Sequence, residues 1–151
     1  MAGLPSISVL SVSSSRFDSN PVDNTDRITV PVGLYRFHTL EPCRLVDTRE
    51  TANPLLAAAD RTFALRGRCG VPATARALSL NVTVTEPTAA GDLRLSPAGA
   101  SVESSSINYG TGQTRAAFAV VALSASGEIT VHCDQEAGQV QLILDVTGYF
   151  E

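Results

Sequence analysis

The chain has 151 residues, 44% apolar and 17% charged, which is enough apolar material for one buried core and too little charge for a disordered polymer. Its formal net charge is −4 and all eleven basic residues are arginine, scattered along the chain. That balance gives no field for nucleic acid or an anionic membrane surface, and no apolar run approaches the roughly 18 residues of a membrane-spanning helix.

The chain opens with "MAGLPSISVLSVSSSRF", which lacks the basic start and continuous apolar stretch of a signal peptide. A processed leader, another export route and retention inside the cell all remain open at this point. "SISVLSVSSS" alternates weakly, and "RFDSNPVDNTDR" after it is polar and rich in turn residues. Residues 1–27 are therefore expected to form an N-terminal extended arm. Such an arm is either unpaired or added to a sheet edge, its own or a neighbouring subunit's.

Residues 28–151 read as one domain in which period two dominates. "PLLAAADR" (54–61) has the only helical character, one turn at most, and "RTFAL" (61–65) is a short strand. "ALSLNVTVTE" sets Leu78, Leu80, Val82 and Val84 on one face, with Ser79, Asn81, Thr83 and Thr85 on the other. "GDLRLSP", "SSSINYG" and "RAAFAVVAL" follow as shorter strands. "GEITVHC" turns Ile129, Val131 and Cys133 inward. "GQVQLILDVTGYF" does the same with Val140, Leu142, Leu144 and Val146, while Ile143 interrupts its polar face. Gly- and Pro-bearing stretches separate them: "EPTAAGD", "PAGAS", "GTGQT", "SASGE" and "QEAGQ". Roughly nine strands at spacings near 8–12 residues predict an all-β, antiparallel β-sandwich, with a jelly roll among the arrangements allowed.

Candidate chemistry is sparse. Asp18, Asn20, Asp23, Asn24 and Asp26 are hard oxygen ligands that would suit calcium, but the stretch 18–26 lacks the glycine and terminal glutamate of an EF-hand loop and reads first as a turn-rich linker. The cysteines are Cys43, Cys69 and Cys133; spacing alone leaves a Cys43–Cys69 bridge and three buried thiols equally open. In "PCRLVDTRE", Asp47 ends a strand, where its carboxylate suits an Asx turn and an ion pair with Arg49, with Arg44 close by; no histidine or second carboxylate is linked to them for acid–base work. Asp145 sits in an otherwise apolar strand and calls for an arginine partner. His38, His132 and the cysteines show no zinc spacing, and His132 alternates onto the solvent face. "GTGQT" reads as a hairpin loop rather than a phosphate cradle. With no Trp, a glycan platform rests on Tyr109, while Tyr35, Phe37, Tyr149 and Phe150 pack as core or edge.

From "LYRFHTLEPCRLVDTRE" the chain resembles the "LxPxRLLDTR" modules of secreted and surface proteins of actinobacteria, acidobacteria and related bacteria. The likeness continues through "RCGVPATARALSLNVTVTEPTAAG", "LSPAG" and "SSSINYGTGQT", and closes with "ILDVTGYF". It implies an extracellular β-domain with no catalytic activity of its own, and a disulfide between Cys43 and Cys69 that leaves Cys133 aside. The function expected is a non-enzymatic, cofactor-free structural module of the bacterial exterior or cell surface. It would form a homo-oligomer or polymer or present a surface, with neither nucleic acid nor a membrane span. The alternative is a module that binds surface glycans or the cell wall.

Overall fold

The computed structural model describes residues 35–151. The expected arm (1–27), the stretch 18–26 raised for calcium and the first residues of the expected domain (28–34) lie outside the described residues. Nine strands run in order: β1 (Phe37–Asp47), β2 (Leu55–Leu56), β3 (Asp60–Ala64), β4 (Ala77–Thr85), β5 (Gly91–Pro97), β6 (Ile107–Tyr109), β7 (Arg115–Ala122), β8 (Glu128–Gln135) and β9 (Gln139–Phe150). One sheet has the order β1-β9-β4-β7, with β2 appended to β9; the other has the order β3-β8-β5-β6. All pairings are antiparallel.

Leaving aside two-residue β2, the eight strands pair first with last and inward from there: β1 with β9, β3 with β8, β4 with β7, β5 with β6. This is one long antiparallel ribbon rolled on itself, the jelly-roll arrangement of a double-sheet sandwich. Only β5 and β6 form a local hairpin, joined by residues 98–106. "GTGQT", expected as a hairpin loop, instead carries the chain from β6 in one sheet to β7 in the other. The local signal for a turn is the same in both cases, and the partner strand is chosen by packing far along the chain. "PLLAAADR" forms β2 and the start of β3 rather than a helical turn, because Leu55 and Leu56 extend against Val140 and Gln139.

The alternating apolar residues meet between the sheets. Leu78, Leu80, Val82 and Val84 of β4 and Val140, Leu142, Leu144 and Val146 of β9 face Leu93, Leu95, Ile129, Val131 and Cys133, and all are buried. Full burial of each such Leu, Ile or Val is worth about 1.5–3 kcal/mol, set against the ordering entropy of the chain. Three register breaks interrupt the period. Thr147 lies between Val146 and Gly148 without a partner on β4, so beyond it Tyr149 turns toward the core and Phe150 turns away. The extra residues Leu40–Pro42 and Leu45 in β1 let Leu45, Val46 and Asp47 all sink from view in succession. Gly148 is buried where β1 crosses close: a Cβ there would meet the Phe37 ring at 2.5 Å and the His38 carbonyl at 2.6 Å.

Candidate functional site

A cluster of charged side chains is built at the end of β1. Pro42 sits in the bulge of this edge strand, where its missing N–H costs no ladder bond. Beyond it, Arg44 lies opposite Asp145 of β9, whose other neighbour is Asn81 of β4. Arg44 Nε donates to Asp145 Oδ1 at 2.9 Å and its Nη1 to Asp47 Oδ2 at 3.1 Å. Asp47 Oδ1 accepts the Arg49 backbone N–H at 3.1 Å, the Asx turn, and Arg49 Nε at 2.9 Å; Oδ2 takes Arg49 Nη2 at 2.6 Å. The next residue, buried Thr48, joins the turn to β9: its N–H bonds the Leu142 carbonyl, and its hydroxyl donates to Gln141 Oε1 at 2.6 Å and accepts the Leu142 N–H at 2.9 Å.

A disulfide joins Cys43 of β1 to Cys69 in the loop between β3 and β4, with the Cα atoms 5.7 Å apart. The structure thus brings Asp47, Arg49 and Asp145 together, with Arg44 as the bridge between the two carboxylates. The Arg49 side chain holds the Asp47 carboxyl down to about 2, against the opposing effect of burial. An acid that stays ionised at any ordinary pH, with both oxygens already taken, has no proton to give and no free lone pair with which to accept one. Chemically the cluster is a clamp between strands.

Tyr109 is not the exposed platform expected. β6 pairs Tyr109 with Gly91 and turns it inward beside Ile107. Its hydroxyl donates to Gln135 Oε1 at 2.9 Å and lies 3.6 Å from the Cys133 sulfur. Burial pushes the ionisation of both the Tyr109 phenol and the Cys133 thiol upward. His132 lies on the outer face with Asp60 at 2.7 Å, beside Arg94, which pairs with Asp92 and Asp134.

Three hollows adjoin these groups. One of about 520 Å³ lies against Pro42, Arg44, Asn81 and Asp145; one of about 240 Å³ lies against the other side of the clamp, lined also by Arg61, Arg68 and Phe63; the third, about 190 Å³, lies between Asp60, Arg94, Glu103 and His132. No group of three or more His, Cys, Asp or Glu is placed to hold a metal among the described residues, and no helix there is long and apolar enough to cross a membrane.

Sequence reasoning missed the outer face of β7, where Phe118 is 69% and Val120 53% exposed. "RAAFAVVAL" is apolar at both parities, so alternation did not reveal which side faces water. It also missed the aromatic pairs at the start of β1: Phe37 with Phe150, ring centres 5.0 Å apart, and His38 stacked on Tyr149 at 4.9 Å. The chain matches no protein-family model and no curated protein.

Proposed function

We propose that this chain is a non-enzymatic extracellular structural module that self-assembles or presents a surface. The observation that carries this reading is the clamp. The most conspicuous charged residues of the sequence, Arg44, Asp47, Arg49 and Asp145, are spent on one another in fastening β1 to β9. A Cys43–Cys69 disulfide beside them suits an oxidising compartment. The likeness of "EPCRLVDTRE" and "LDVTGYF" to the bacterial surface modules supports the same placement. Residues 1–27, outside the described residues, are the segment we assign to joining one copy to the next by strand addition to a neighbour.

Light scattering behind size exclusion, with negative-stain imaging of the same fraction, tests the reading. Regular assemblies that disappear when residues 1–27 are deleted support it; a single-copy particle of 15.8 kDa at every concentration refutes self-assembly. In that case a pull-down on cell wall or polysaccharide examines the glycan-binding alternative, which no longer has Tyr109 to rest on.

A further inference from the structure

A sandwich of two open sheets has four edges, and exposed edges of β-proteins are ordinarily blunted by charge, proline, bulges or shortness. Three of the four are. β1 carries Glu41, Pro42 and Arg44 and two register breaks. β3 has five residues, of which two are Asp60 and Arg61, and β6 has three in all. β7 has none of these protections: eight residues in unbroken register with β4, with no proline and one charge, Arg115, at its first position.

The ladder fixes which groups β7 leaves open. The Leu123 N–H donates to the Arg76 carbonyl at 2.8 Å, continuing the register in which Ala122 faces Ala77. Odd-numbered residues therefore bond toward β4. The N–H and C=O groups of Ala116, Phe118, Val120 and Ala122 point to the free edge. None of these has another backbone partner among the described residues. The same four residues also turn exposed side chains to the outer face.

We propose that β7 is an interface between two copies of this chain, paired antiparallel about a two-fold axis through Ala119. In that register Phe118 lies opposite the partner's Val120 and Ala116 opposite the partner's Ala122. All eight outward groups of each copy find partners, and two aromatic–β-branched pairs form on the outer face. The two Arg115 side chains lie at opposite ends of the ribbon, each across from the partner's Leu123, so no like charges meet. A second copy fits this edge because the strand is complementary to itself in this register and carries no charge at its middle. An eight-residue ribbon is smaller than the roughly 1,200–2,000 Å² of a standard interface, so the pairing is reversible and depends on concentration. A two-fold contact closes at a dimer, and growth beyond it needs a second, non-equivalent contact such as the one assigned to residues 1–27.

Sedimentation velocity of the full chain over a concentration series tests this directly. The weight-average mass is expected to rise from one copy to two. Val120→Pro removes a donor aimed outward, which an edge strand tolerates, so this variant should fold and remain a single copy. If its circular dichroism shows that it does not fold, Phe118→Lys replaces it and carries the same expectation. Ala119→Cys should form a covalent dimer on mild oxidation. Deleting residues 1–27 should remove larger assemblies and leave the dimer. A wild-type chain that stays single throughout, a folded β7 variant that still dimerises, or an Ala119→Cys chain that does not cross-link overturns the proposal. So does loss of the dimer on deletion of residues 1–27, which would give the edge to that segment instead.

Discussion

Replacing Asp47 with Asn isolates the charge of the clamp. The amide oxygen still accepts the Arg49 N–H of the Asx turn and the volume hardly changes, but the attraction for Arg44 and Arg49 is gone. The carboxyl is lowered from 3.8 to about 2, chiefly through the Arg49 side chain. At 1.36 kcal/mol per pH unit, that difference is about 2 kcal/mol of folding stability. The carboxylate is 2% exposed, but the two arginines are 47% and 44% exposed and keep solvent screening, which reduces the expected loss to roughly 1–2 kcal/mol.

The sign follows from the direction of the shift. The folded state holds the proton less tightly than the unfolded chain, so the contribution is complete above about pH 4 and disappears as pH falls from about 4 to about 2. Urea titrations of wild type and Asp47→Asn, disulfide intact, should show a gap of this size at pH 7 that closes toward pH 2. Equal stability at pH 7, or a gap that does not narrow below pH 4, refutes the clamp as an electrostatic device. Asp47→Ala should lose more, because the Arg49 N–H then has no acceptor either.

Four further outcomes follow from the core and the disulfide. Replacing Cys43 and Cys69 together by Ser opens a bridge across 26 positions and should cost about 3.5 kcal/mol on the chain-entropy model, read from urea midpoints. With the bridge intact, a thiol reagent should find no reactive sulfur in the folded chain and one after unfolding, since Cys133 is buried and free; a rapid reaction in native buffer contradicts this. Tyr109→Phe strands the buried Gln135 Oε1 and should lower stability by about 1–3 kcal/mol, and an unchanged melting temperature would show that water replaces the hydroxyl. Gly91→Ala forces a Cβ to 2.4 Å from the Asp134 carbonyl oxygen, a backbone atom with little freedom to move, and should cost about 1–3 kcal/mol; retention of full stability would mean that β5 shifts freely.

Strand identity was legible because period two survives wherever one face is buried: Leu78, Leu80, Val82, Val84 and Ile129, Val131, Cys133 all lie where alternation puts them. Pairing was less so. Every loop reads locally as a turn, and whether the chain reverses within its sheet or crosses to the other is decided by contacts such as Leu78 against Tyr149, 71 positions apart in the sequence. The bulge at Thr147 leaves no clear local mark, yet it decides that Tyr149 rather than Phe150 meets the core. Asp145 was recognisable as needing a partner because it is a lone acid among Leu144, Val146 and Ile143, but only the register shows that the partner is Arg44. Tyr109 was misread although it lies in a segment read as a strand: it shares the parity of Ile107, and that face is the buried one.

The two edges of the larger sheet are finished in opposite ways. The β1 edge is bent by bulges, interrupted by Pro42, fastened through Cys43 to the loop before β4 and charged by Arg44 and Asp47, features that blunt it against an added strand. At the far side of the same sheet, β7 is straight, uncharged beyond Arg115, and apolar on its outer face. A sheet sealed at one side and bare at the other can be extended by strand pairing only at the bare side. When the partner is an identical chain, that extension uses up both bare edges at once. Extension of this sheet through β7 therefore stops at two, and any larger assembly needs a second, non-equivalent contact such as the one assigned to residues 1–27. This is why the mass of the Val120→Pro variant and that of the chain lacking residues 1–27 report on different contacts.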